Sequence, residues 1–144
     1  GPALWLCVTR PFLLMHIGAM QAGLHEAGAE GALGLALFAA DAPASLARRY
    51  LPLMSNESLR ACLDLYLPWC VPLGLRELPC LVMGAGSDNL IPPASVRETA
   101  ATLGVQAHIL PGLGHGMMLD PEWATAARRL GGWLDNISLE SVAA

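Results

Sequence analysis

Charge is what this sequence has least of. Only 14% of its 144 residues are Asp, Glu, Lys or Arg, against 54% hydrophobic, and the net charge is -4 at pH 7. That is well under the charged share of an ordinary soluble domain. With no basic run there is no electrostatic footprint for nucleic acid, so no such partner is expected. Long apolar runs are missing as well. Arg10 and Pro11 cut the apolar start short, and no stretch of about 18 uncharged apolar residues follows, which argues against a membrane-spanning helix. The start also lacks the basic lead-in and small-residue cleavage site of a secretory signal.

Metal chemistry is poorly represented. Cys7, Cys62, Cys70 and Cys80 have no C-x-x-C spacing, and three of them sit in apolar segments. They read as reduced core residues of a cytoplasmic protein. His16, His25, His108 and His115 form no H-x-x-x-H or H-E-x-x-H pair that would put two ligands on one helical face, so no metal site is expected. Neither "GAEGALG" (28–34) nor "GAGSDN" (84–89) has the glycine spacing of a dinucleotide loop.

What is present is apolar patterning in a length that suits one domain with a real core. The mean hydropathy of +0.47 is too high for a comfortable monomer. Part of the surface is therefore expected to pack against another chain or a second copy, or to lie near a membrane. "ALWLCV" (3–8) and "LPCLVMGAG" (78–86) are continuous apolar runs stopped by breakers, and "VQAHIL" (105–110) is a third. Strands apolar on both faces belong inside parallel sheets covered by helices.

Between the second and third runs, "PPASVRETAATLG" carries a Ser95–Glu98 capping box and a stop at Gly104, which predicts a helix. After the third run, Asp120 is the expected cap of a helix with Pro121 at its first position. Trp123, Ala127, Leu130 and Leu134 share one face of it, and Gly131-Gly132 weaken it locally. Residues 19–67 read as three helices broken at 41–43 and 52–56, with Leu59, Cys62, Leu63 and Tyr66 along a face of the last. The fold class is therefore α/β, with a partial parallel sheet of three strands.

Asp88 follows the second run directly, and His115 sits in "GLGHGMMLD" after the third. Open parallel sheets bind ligands at the carboxyl ends of their strands, and a crossover sets consecutive strands side by side with those ends together. Asp88 and His115 then share one rim. An aspartate that accepts from a histidine Nδ1–H fixes the ring tautomer and frees Nε2 to take a proton from a nucleophile. Each residue also has a plainer reading. Lone histidines beside apolar residues are more often structural, and Ser-Asp-Asn favours a turn anyway. The glycines flanking His115 suit a tight turn that leaves the ring unobstructed.

"LPCLVMGAGSDNLIPP" followed by "HILPGLGHGMMLDPEWATAARRLGGWL" resembles the C-terminal part of the α/β-hydrolase superfamily, near its esterase and lysophospholipase-like members. By that resemblance, 3–8, 78–84 and 105–110 stand for the sixth, seventh and eighth strands, and 19–67 for a helical cap. The chain divides into a first strand and exit loop at 1–15, the cap at 16–75 and a strand-helix-strand-helix core at 76–144. Asp88 matches the triad acid and His115 the triad base.

The resemblance further implies hydrolysis of a small hydrophobic carboxylic ester without a cofactor, and the Met117-Met118 pair is a candidate substrate contact; plain core filling is the other reading of it. The departure from the family is that no G-x-S-x-G occurs. The nucleophile and oxyanion-hole amides normally precede the sixth strand, so they would come from an N-terminal half; that half, a separate chain or a second copy would cover the exposed sheet edge. The 144 residues alone are then expected to be inert. Two alternatives stay open: a non-catalytic binding or scaffold domain of the same fold, and an aspartate-nucleophile relative of the epoxide hydrolases and dehalogenases.

Overall fold

A computed structural model describes residues 7–21, 29–55, 58, 60 and 78–142. Its elements in order are α1 (Pro11–Gln21), α2 (Ala29–Leu37), α3 (Ala44–Tyr50), a 3-10 turn (Leu51–Leu53), β1 (Val82–Ala85), α4 (Pro93–Leu103), β2 (Ala107–Leu110) and α5 (Trp123–Val142). The protein is thus mixed α/β with a small parallel sheet. β1 and β2 pair in register Val82 to Ala107 through Ala85 to Leu110.

The strand-helix-strand unit closes because its middle helix lies on both strands. Val96 and Ala100 of α4 are buried. Gly84 of β1 makes room for that approach, since a Cβ there would come within 2.6 Å of Val96 Cγ2. Gly104 ends α4 with φ 75°, and the bonds Gly104 N–H to Ala101 O and Val105 N–H to Ala100 O form a Schellman ending. The predicted Ser95–Glu98 capping box is not used. α4 starts one turn earlier, with Pro92 as its N-cap and Pro93 at its first position; proline has no side-chain acceptor to cap with, and Ser95 lies inside the first turn rather than at its start.

Two apolar clusters hold the layers. Ala85, Leu110 and Leu113 form one, with Met117 and Ala126 packed on it. Leu13, Ala32 and Ala36 form the other, with Leu14, Leu37 and Leu90 against it. Leu90 lies two residues beyond Asp88, so the helical layer rests on the loop that leaves β1.

Several expectations change. The first predicted strand is not seen: residues 3–6 lie outside the described residues, and residues 7–9 are helical. A helix closes its own backbone hydrogen bonds, whereas a strand needs a neighbour, and among the described residues β1 pairs only with β2. Among the described residues the sheet is accordingly two-stranded, and the third expected strand is not shown. α1 runs across the expected boundary at residues 15 and 16. Cys7 is exposed rather than core and Cys80 is half-buried, while Cys62 and Cys70 lie outside the described residues, as does the third predicted helix face. Leu78 is exposed, so β1 begins only at Val82. No helix among the described residues is long and apolar enough to cross a membrane.

α5 continues through Gly131 and Gly132 to Val142. The face shared by Trp123, Ala127, Leu130 and Leu134 is outward, with Trp123 54%, Leu130 43% and Leu134 48% exposed. Ala126 meets the core instead, and Trp133 and Ile137, on the same stripe, are half-buried. Periodicity finds an apolar face but not what lies opposite it.

Asp120 does cap the approach to α5. Its Oδ1 accepts Glu122 N–H at 3.1 Å, its carbonyl accepts Trp123 N–H at 3.0 Å, and its Oδ2 takes a longer bond from Gly114 N–H at 3.4 Å. It is only 5% exposed. Asp120→Ala is expected to cost about 1–2 kcal/mol in urea unfolding, the worth of a cap plus a weakened loop tie. A loss under about 0.5 kcal/mol would contradict that assignment.

Candidate active site

Past the tips of β1 and β2 the backbone keeps the two chains joined. Gly86 N–H donates to Leu110 O at 2.7 Å and Ser87 N–H to Leu113 O at 3.0 Å. Gly112 turns the second loop with φ 76°. Asp88 emerges from the first loop and His115 from the second.

The imidazole Nδ1–H of His115 donates to Asp88 Oδ2 at 2.9 Å, across 27 residues of sequence. The other carboxylate oxygen, Oδ1, accepts Leu90 N–H and Ile91 N–H, each at 2.8 Å. The turn reading and the pairing reading of Asp88 therefore hold together, one oxygen for each. The Asp88 side chain is 6% exposed and that of His115 is 33% exposed, which leaves the ring reachable.

Burial pushes the Asp88 carboxyl upward, but the hydrogen bond from His115, those from Ile91 N–H and Leu90 N–H, and the charge of His115 outweigh it. The net result lies below the ordinary aspartate value. An ionised carboxylate offers lone pairs only, so the shared proton sits on Nδ1; in the neutral ring that leaves the lone pair on Nε2.

That depression has a pH consequence. As pH falls, the unfolded chain takes up the proton before the folded one does. Asp88 contributes its full stabilisation above the unfolded value of about 4 and loses it as pH drops through the lower folded value. Urea midpoints are expected to decline over that acid range, and less steeply in Asp88→Asn. Equal slopes for the two proteins would remove Asp88 as a source of the decline.

The glycines around His115 serve a different purpose from the expected tight turn. Among the described residues only Gly104 and Gly112 have positive φ. A Cβ on Gly114 would collide with Phe38 C and stand 2.5 Å from Ala39 N and 2.6 Å from Phe38 Cα. Gly116 N–H donates to Leu37 O at 2.7 Å. The His115 loop is thus pressed, backbone to backbone, onto the end of α2. The Asp88 loop reaches the same end through Asn89 Nδ2, which donates to Leu35 O at 2.8 Å.

No family model matches the chain, and no curated protein or solved structure matches it either.

The methionine pair divides. Met117 packs against the Ala85–Leu110–Leu113 cluster as core filling, while Met118 is 73% exposed. A cavity of about 190 Å³ opens between α2 and α3, lined by Leu35, Phe38, Ala39 and Ala47 among others, and neither methionine nor the acid–base pair borders it. No group of three metal-ligating side chains occurs among the described residues. His108 lies beside Arg129, 2.9 Å from guanidinium to Nδ1. His25 falls outside the described residues, and of His16 only the backbone in α1 is described.

Sequence reasoning missed Asn89 and the loop-tying bond of Asp120. In the sequence Asn89 stands only as part of the Ser-Asp-Asn turn signal, and Asp120 only as an expected cap. No local pattern announces a bond to a helix end 54 residues away.

Proposed function

We propose that the chain is the acid–base part of an α/β-hydrolase-type enzyme acting on carboxylic esters. The observation that carries this reading is the 2.9 Å His115–Asp88 bond at the tips of adjacent parallel strands, with the carboxylate buried and the ring accessible. A structural histidine needs none of that asymmetry.

In the proposed reaction a serine hydroxyl from outside these residues attacks the ester carbonyl, and His115 Nε2 takes its proton. The imidazolium then gives that proton to the departing alkoxide, which leaves as the alcohol. Water attacks the acyl-enzyme, His115 removes its proton and returns it to the serine, and the acid is released. Asp88 stays ionised throughout and holds the ring in one tautomer. The absence of G-x-S-x-G and the one hydrogen-bonded neighbour that β1 has among the described residues both support a further segment or second chain that adds strands and nucleophile. On this reading the protein is reduced and cytoplasmic.

The test is to treat the full product of the encoding gene with a fluorophosphonate probe and with short-chain aryl esters. Specific labelling of a serine, with ester turnover, is expected. Turnover of an epoxide or haloalkane without labelling favours an aspartate nucleophile, and inertness toward all of these favours the scaffold reading.

A further inference from the structure

The loops bearing Asp88 and His115 end on the same helix terminus. The last carbonyls of any α-helix lack intrahelical donors and must find partners elsewhere. In α2, Gly34 O still accepts Phe38 N–H at 3.0 Å, but Leu35 O is taken by Asn89 Nδ2 at 2.8 Å and Leu37 O by Gly116 N–H at 2.7 Å. Asn89 follows Asp88 directly and Gly116 follows His115 directly. The two accepting carbonyls are held two residues apart by helical geometry.

We propose that Asn89 is a positioning residue, which with Gly116 N–H fastens both loops to the C-terminal carbonyls of α2 and so sets the separation of Asp88 from His115. The pair is then held on two sides. Before the site residues, Gly86 and Ser87 N–H bond to Leu110 and Leu113 carbonyls. After them, the only shared anchor described for the two loops is the end of α2. The Oδ1 bonds to Leu90 and Ile91 fix the carboxylate within its own loop and say nothing about the distance to the other. That distance leaves little slack, since a hydrogen bond of 2.9 Å is lost within about 1 Å of separation. A carbonyl accepts only from a donor, which explains an amide at 89: aspartate has the same outline but nothing to give.

The test is hydrogen exchange followed by NMR on the 144-residue chain, comparing wild type with Asn89→Ala. Exchange of the His115 Nδ1 proton and the Gly116 amide is expected to quicken about tenfold or more, while the Val96 and Leu110 amides keep their rates within about twofold. Asn89→Gln, which retains a donor, is expected to recover most of the protection. Unchanged exchange at His115 and Gly116 overturns the proposal, and so does a uniform rise at every amide, because that reports general loosening. If Asn89→Ala does not fold, Asn89→Asp removes the donor at constant shape and is judged by the same two signals. The catalytic meaning of this brace rests on the hydrolase reading, but the exchange measurement does not. An inert gene product sinks that reading alone, and unaltered exchange sinks the brace alone.

Discussion

Asp88→Asn is expected to lower the ester turnover proposed for the full gene product about 10^4-fold, with KM changed little. The surroundings of residue 88 dictate how the amide must sit. Two backbone N–H groups, from Leu90 and Ile91, point at one carboxylate oxygen at 2.8 Å, and in the variant only the amide oxygen can receive them. The amide NH2 is then turned toward His115. Facing a donor, Nδ1 must become an acceptor, so the ring proton moves to Nε2 and the lone pair that would take the nucleophile's proton is gone. Overall shape is preserved, which separates this effect from a folding defect. Loss of less than about tenfold in kcat would exclude Asp88 from the mechanism. The tautomer shift is separately visible in the 15N shifts of His115 in the 144-residue chain, where no nucleophile is needed.

The second large effect is on stability. Gly114→Ala is expected to cost about 3 kcal/mol in urea unfolding, at or beyond the upper end of ordinary overpacking. The added methyl group would meet Phe38 C, Phe38 Cα and Ala39 N. Those are main-chain atoms, so no rotamer change relieves the contact. Gly131→Ala is the control: nothing lies within 4 Å of a Cβ there, and alanine favours the helix. It is expected to be neutral or slightly stabilising. If both variants unfold at the same urea concentration, the close approach of the two segments is wrong.

The two contacts explain what could be read from the sequence and what could not. The apolar runs around 82–85 and 107–110, the stop at Gly104 and the cap at Asp120 are local devices, written in residues within a few positions of each other. The Asp88–His115 pairing followed from one topological rule, that parallel neighbours present their carboxyl ends together. Of the first predicted strand only the last two residues are described, and they are helical: an apolar run does not record whether a neighbour exists to complete its hydrogen bonds. The face of α5 turned the other way because spacing cannot name the opposing surface. The reason for Gly114 and Gly116 was invisible for a related cause. Their requirement comes from Leu37, Phe38 and Ala39, which are distant in sequence and carry no complementary signature.

The meeting of residue 114 with residues 38 and 39 orders events in time. Ribosomal synthesis delivers the helices long before the histidine, and loop closure over such a span is slow compared with winding a helix. The imidazole therefore gains its oriented proton only once the earlier half of the chain is already in place. A fully synthesised but unfolded polypeptide carries both side chains of the pair without their alignment, which arrives only when the late loop packs on the early helix.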